Sequence, residues 1–154
     1  MQIEHAVRTS GAAGLPTGQP ELGDSCQFVL AFGSGQVFTD PSWFHDVKSA
    51  HPRTRVVGCS TAGEISRTNI HDESLVTTAV ACHRSSRVEC AMCDISDPAH
   101  SCRVGKSLAE MLPPEGLRHV LVFSHVTPVS PAAAHARIGG IAGFIKDALL
   151  QARP

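Results

Sequence analysis

The sequence lacks a strong net charge and a sustained apolar run, and each absence excludes a class of protein. Its formal net charge is −1 at pH 7, so it has no broad basic field that would attract nucleic acid. The N-terminal residues mix Glu4, His5 and Arg8 and contain no apolar stretch of the kind that a secretory signal or a membrane span requires. We therefore expect a cytoplasmic protein that binds neither nucleic acid nor a membrane.

Six cysteines stand at irregular spacing, and in a cytosolic protein we expect them to be reduced thiols without disulfides. Cys90 and Cys93 form a Cys-x-x-Cys pair, which zinc and redox sites also use. The segment 87–94 predicts a strand, and side chains three positions apart on a strand point to opposite faces. We therefore predict that these two thiols share no metal ion and that the chain has no metal site.

The pattern of the chain predicts one α/β domain, which suits a length of 154 residues. Glycine and proline are frequent before residue 24, so we expect a flexible leader over residues 1–24 and a domain over 25–152. Apolar runs predict a mixed five-stranded sheet with flanking helices. The predicted strands are 27–32, 55–58, 75–82, 87–94 (joined to the third as a hairpin) and 119–123, and the predicted helices are 40–50, 97–112 and 132–151.

The most informative segment follows the second predicted strand. There an apolar pattern stops against six small residues and a carboxylate: Gly58, Cys59, Ser60, Thr61, Ala62, Gly63 and Glu64. Small residues let a ligand approach the backbone closely, and the thiol, hydroxyl and carboxylate groups offer hydrogen bonds with little bulk. We therefore predict a ligand-binding loop, in which a valine at Gly63 would fill the approach space and resist a positive φ.

This motif resembles that of the FIST N-terminal domain family, a sensory module of intracellular signal-transduction proteins, and the similarity runs from about Gln27 through Ser124. Beyond Ser124 the sequence departs from the family's layout, so the chain is similar to a partial or diverged member. We expect the resulting uncovered sheet edge to favour association with another chain. The resemblance implies binding of a small ligand, such as an amino acid, communication with a signalling protein, and no catalysis.

Two other functions stay open at this point. A thiol-dependent enzyme could use Cys59 as nucleophile, although Ser60 does not fit a hydrolase Gly-x-Ser-x-Gly motif because the second glycine comes one residue late. Some FIST proteins bind haem through a histidine and sense nitric oxide, so haem is a possible cofactor in a chain that we otherwise expect to have none. The candidate axial ligands are His45, His51, His71, His119 and His125.

Two roles are possible for the side chain of Glu64. Its carboxylate could orient a ligand amine, or it could be a solvated charge or a cap at the end of the loop.

Overall fold

The computed structural model describes residues 1–9, 21–66, 68–83, 85–94, 100–113 and 115–123. The chain divides into two compact units, Met1–Val88 and Glu89–Pro154, and every strand described lies in the first. In chain order the elements are β1 (Gln2–Thr9), a 3-10 turn (Gly23–Ser25), β2 (Phe28–Gly33), α1 (Gly35–Thr39), α2 (Ser42–Ala50), β3 (Arg55–Ser60), β4 (Glu64–Ser66), β5 (Asn69–His71), β6 (Ser74–Ala81) and α3 (Ser101–Met111).

Four strands of the first unit form a mixed sheet in the order β1-β6-β2-β3, and β4 and β5 form a separate two-stranded sheet. β2 and β3 run parallel and are connected through α1 and α2, whereas β6 is antiparallel to both β1 and β2. This arrangement confirms the predicted α/β class, the mixed sheet and the strand-helix-strand unit. It also places the carboxyl ends of β2 and β3 side by side.

The hydrophobic core lies between one face of the sheet and α2. Along β2, Val29 and Ala31 are buried while Leu30 between them is only half-buried. Val29 clusters with Val47 of α2 and with residues before and after it in the chain: Leu22, Cys26, Ala79 and Ala81. Burial of each large apolar side chain stabilises the fold by about 1.5–3 kcal/mol.

The predicted helix over 40–50 is confirmed as α2, which begins at Ser42. The carboxylate of Asp40 accepts hydrogen bonds from the N–H (2.9 Å) and the hydroxyl (2.6 Å) of Ser42, the first residue of α2. The first of these contacts gives a partner to a backbone N–H that the first turn of a helix otherwise leaves without one. The helix ends at Ala50, before Pro52, as the sequence indicates.

The predicted flexible leader is wrong for residues 2–9. They form β1, an edge strand paired with β6 along its length. Arg8 also reaches the helical layer, where its guanidinium lies 3.6 Å from an oxygen of Asp40 and 3.5 Å from one of Asp46. Glycine and proline are concentrated after residue 10, and residues 10–20 lie outside the described part of the chain. The glycine and proline content of the whole segment 1–24 therefore led to a wrong prediction of flexibility for its first nine residues.

The fourth and fifth predicted strands are also wrong. Residues 86–94 and 117–123 contain no strand in the described structure. β6 already has β1 on one side and β2 on the other, so no edge of β6 is left for a hairpin with the segment 87–94. The predicted strand at 119–123 is likewise absent from the described sheet.

The second predicted helix is confirmed as α3, although its expected start at Asp97 lies outside the described residues, as does the predicted helix over 132–151. None of the described helices has the length and apolar character needed to cross a bilayer.

Candidate functional site

The motif straddles the end of β3. Gly58, Cys59 and Ser60 are the last residues of the strand, and Glu64 begins β4, so only three residues form the turn itself. The N–H of Thr61 donates a hydrogen bond of 2.9 Å to the carbonyl of Gly33, the last residue of β2. The turn therefore lies at the carboxyl ends of two neighbouring parallel strands, which is where α/β proteins commonly bind ligands.

The buried side chain of Glu64 stabilises this turn through hydrogen bonds. Its side chain is almost fully buried, with 2% of the residue exposed. One carboxylate oxygen accepts a hydrogen bond from the hydroxyl of Thr61 at 2.6 Å. The other accepts from the hydroxyl of Ser74 at 2.7 Å and from its N–H at 3.3 Å. A carboxylate buried this deeply requires such partners, so the interpretation of Glu64 as a solvated charge is wrong.

The protonation of Glu64 follows from these contacts. Burial raises the pKa of its carboxyl, but the hydrogen bonds from Thr61 and Ser74, together with the nearby His71, lower it by more. The net pKa lies below the ordinary value for a glutamate, so the group is ionised at neutral pH. The predicted contact between Glu64 and a ligand amine stays a prediction, because both oxygens already have protein partners.

The close packing of β3 against β2 leaves no space for a side chain at Gly58. It lies opposite Ala31 in the parallel β2–β3 pair, and a Cβ atom at this position would overlap the carbonyl group of Ala31. Gly33 is similar, since a Cβ atom there would lie 2.8 Å from the carbonyl oxygen of Ser74. These two glycines allow backbone segments to approach each other.

Gly63 differs from both. Its φ is not positive, so the expectation of a left-handed conformation is wrong. A Cβ atom added to Gly63 would find its nearest neighbour, Oδ1 of Asp72, at 3.7 Å, which is ordinary van der Waals contact. The backbone here is open to solvent. Gly63 therefore leaves space beside the turn rather than relieving strain within it.

The outer side of the turn carries hydrogen-bonding groups without protein partners. Ser60, Ala62 and Gly63 are exposed. Within the described part of the chain, the hydroxyl of Ser60 and the N–H groups of Ala62 and Gly63 make no hydrogen bond. The carboxylate of Asp72 lies beside Gly63. Neutral donors and an acidic side chain therefore face solvent within the same small surface.

Asp72 and Ser74 were not identified from the sequence. Asp72 lies in the β5–β6 connection, in which Glu73 has a positive φ of 51°, and Ser74 is the first residue of β6. Ser74 is fully buried, and its carbonyl also accepts a hydrogen bond of 3.0 Å from the N–H of Ser34. The polar run 72–74 between two strand patterns was the only available signal, and it does not indicate which turn these residues contact.

The thiol of Cys59, the candidate nucleophile, is partly exposed. In the described residues no histidine or carboxylate forms a hydrogen bond with it. All six cysteines carry free thiols. No group of three His, Cys, Asp or Glu side chains that could hold a metal ion occurs among the described residues.

The candidate haem ligands differ in exposure. His45 and His119 are exposed and His71 is half-buried. His51 is buried, with its Nδ1 3.4 Å from the carbonyl oxygen of Gly23, and His125 lies outside the described residues. Haem ligation stays an alternative hypothesis, which a Soret band after reconstitution would support.

Comparison with known proteins gives one family. The family model of the FIST N domain matches residues 27–140, so the similarity continues past Ser124, and the expectation that it ends there is wrong. No curated protein and no solved structure matches the chain. The matched region is about three-quarters of the 154 residues, and the chain therefore belongs to the FIST N domain family, a family of sensory domains in signal transduction.

Proposed function

We propose that this chain binds a small polar metabolite of the amino-acid class at the outer side of the motif turn, and that it does so as a sensor without catalysing a reaction. One observation supports this proposal most directly. The turn at the carboxyl ends of β2 and β3 is fixed from inside by Glu64, while its outer side retains donors without protein partners. A fixed turn with free donors is preorganised for a ligand.

The carboxylate of the ligand would bind to the backbone. Two successive N–H groups, those of Ala62 and Gly63, are suited to an anionic oxygen, and the adjacent Ser60 hydroxyl supplies a third donor. Cys59 and Thr61 flank these donors, and Gly58 keeps β3 close to β2. Little side-chain bulk limits the approach.

The amino group of the ligand would bind to Asp72 rather than to Glu64. Asp72 is exposed and lies beside Gly63, whereas Glu64 is buried and occupied by Thr61 and Ser74. An ammonium group favours a carboxylate within about 4 Å. This assignment replaces the predicted ligand contact of Glu64 with a positioning role.

Binding at the turn would be transmitted to the sheet through Ser74. This residue contacts Glu64 and is also the first residue of β6, which lies between β1 and β2. A ligand that favours one position of the turn would therefore favour one position of the start of β6. A signalling protein that contacts this end of the sheet would detect the difference.

A thermal-shift screen tests the proposal. The panel would contain proteinogenic amino acids, together with matched amines that lack the carboxylate and matched acids that lack the amino group. A bound amino acid at 100 times its Kd would stabilise the fold by about 2.7 kcal/mol, and each kcal/mol raises the Tm by about 2–4 °C at this chain length. The matched amines and acids should give smaller shifts.

The variant Gly63→Val should abolish the shift while the protein remains folded, because the added side chain covers the free N–H groups. Ser49→Val adds the same side chain at an exposed position of α2 and should leave the shift unchanged. A panel without a stabilising amino acid, or a shift that persists in Gly63→Val, would contradict the proposal.

A further inference from the structure

The small sheet formed by β4 and β5 has polar side chains on its inner face and apolar side chains on its outer face. Glu64 and Ser66 of β4 are buried, whereas Ile65 between them is 70% exposed. A strand that covers a protein normally shows the opposite alternation, with its apolar residues toward the core. Because packing within the chain does not explain this inversion, the outer face is a candidate binding surface.

Hydrogen bonds of polar side chains attach β4 to the main sheet. Besides the contacts of Glu64, the hydroxyl of Ser66 forms a hydrogen bond of 2.8 Å with Nε2 of His5 in β1. The other ring nitrogen of His5 lies 3.1 Å from the hydroxyl oxygen of Thr78 in β6. The exposed side chain of Ile65 is therefore not needed to hold β4 in place.

Ile65 and Ile70 form one apolar patch on the outer face. They are direct partners in the antiparallel β4–β5 pair, so their Cβ atoms lie about 4.5–5.5 Å apart on the same side of the sheet. Ile70 is 76% exposed. A single exposed isoleucine is ordinary, but two adjacent ones form a surface that gains free energy when a ligand covers it.

This patch borders the turn to which we assign the ligand. A Cβ atom built on Gly63 marks a point in the open space beside the turn. Apart from Gly63 and its chain neighbours, the three atoms nearest to that point are Oδ1 of Asp72 at 3.7 Å, the carbonyl oxygen of His71 at 4.0 Å and the methyl carbon Cγ2 of Ile70 at 4.0 Å. Two hydrogen-bond acceptors and a methyl group therefore border the same small space.

We propose that the amino acid bound at the motif turn has an aliphatic side chain, and that Ile70 selects it by direct contact. This inference rests on the proposed function. The ammonium group of the ligand would lie against the two acceptor oxygens, and its side chain, which leaves the same α-carbon, would extend over Ile70 toward Ile65. A polar side chain there would lose contact with water without gaining a hydrogen-bond partner from either isoleucine.

Titration calorimetry of the full chain with amino acids of matched shape tests the inference. Leucine and asparagine are similar in shape, as are valine and threonine, and the members of each pair differ in polarity. Affinity should increase from glycine to leucine, by up to about fourfold for each methylene group that the patch covers. Leucine and valine should each bind at least about fivefold more tightly than their polar counterparts, because burial of an unpaired polar group is costly.

The variant Ile70→Thr tests the contact itself. Threonine keeps the β-branched shape that suits a strand, and position 70 is exposed, so the variant should melt like the wild type. Its preference for leucine over asparagine should be lost, while its affinity for glycine, which has no side chain, should stay unchanged. The control Ile3→Thr makes the same change at an exposed isoleucine of β1, which pairs with Val80 near the end of β6 opposite Ser74, and it should keep the preference.

The outcomes separate this inference from the proposed function. Binding of amino acids with equal affinity for leucine and asparagine would overturn the aliphatic assignment alone, as would a preference that survives in Ile70→Thr or is lost equally in Ile3→Thr. A panel in which no amino acid binds would overturn both the inference and the proposed function.

Discussion

Adding one methyl group at two glycines of the motif should have opposite consequences for stability. At Gly58 the new Cβ atom would overlap the backbone carbonyl of Ala31 in the adjacent strand. Backbone atoms cannot rotate away as a side chain can, so β2 and β3 would have to separate locally. Overpacking of this kind typically costs about 1–3 kcal/mol, and disrupted ladder hydrogen bonds add about 0.5–1.5 kcal/mol each.

At Gly63 the same methyl group should be harmless. Its nearest neighbour would lie 3.7 Å away, and the backbone is not in the left-handed region. An alanine there restricts the unfolded chain, which by itself stabilises a protein by about 0.4–1 kcal/mol. The free energy of unfolding of Gly63→Ala should therefore equal or slightly exceed that of the wild type.

Urea denaturation of the two variants measures this difference. The midpoint of Gly58→Ala should fall by the equivalent of about 2 kcal/mol or more with an unchanged slope, whereas that of Gly63→Ala should remain within about 0.5 kcal/mol of the wild type. Equal effects of the two substitutions would refute the conclusion that Gly58 serves strand packing and Gly63 does not.

Two further predictions concern the anchor of the turn and the N-terminal strand. Because the pKa of Glu64 is lowered in the folded state, its contribution to stability should be present above the unfolded pKa of about 4.3 and lost as pH falls through the lowered folded value. Glu64→Gln should lose about 1.5–3 kcal/mol at pH 7 and show a weaker pH dependence in acid, measured by urea denaturation; a wild-type pH profile in the variant would contradict this assignment. Deletion of residues 1–9 should lower the urea midpoint and increase light scattering, because the edge of β6 becomes unpaired; a true leader could be removed without either change.

The parts of the fold that were predictable depend on local signals. The apolar run of β2 is bounded by glycine, and α2 is bounded by Asp40 and Pro52, so the strand-helix-strand unit could be placed before the structure was known. Each of these signals acts within a few residues of the element that it specifies. The position of the motif at the end of β3 follows from the same signals.

Strand pairing over long sequence distances could not be predicted in this way. β1 pairs with β6, from which it is separated by more than sixty residues, and as an edge strand it carries polar side chains on both faces. The segment 87–94 has a strand-like pattern, yet β6 has no free edge to pair with it. A strand pattern shows that a segment can pair, whereas the order of the whole sheet decides whether it does.

Contacts between distant segments also limit what the sequence can predict about single residues of the site. The sequence indicated this segment because small residues before a carboxylate are unusual after an apolar strand, and its contact with a ligand stays a prediction. The sequence did not show that the two glycines have different roles. Gly58 allows close packing against the adjacent strand, whereas Gly63 leaves open space beside the turn. The sequence also assigned Glu64 to the ligand, since Ser74, the partner that occupies its carboxylate, lies at the start of β6, 10 residues further along the chain.

The motif therefore contains two kinds of residue, and their separation has a consequence for any comparison of variants. Gly58, Thr61 and Glu64 build the turn through contacts that are buried or made with another strand. The side chains of Ser60 and Ala62 and the backbone of Gly63 face solvent, and among the described residues the Ser60 hydroxyl and the Ala62 and Gly63 N–H groups make no hydrogen bond. Substitutions of the first kind should reduce stability and binding together, because a displaced turn no longer presents its N–H groups. Substitutions of the second kind should reduce binding alone, so loss of ligand without loss of stability identifies the residues that contact it.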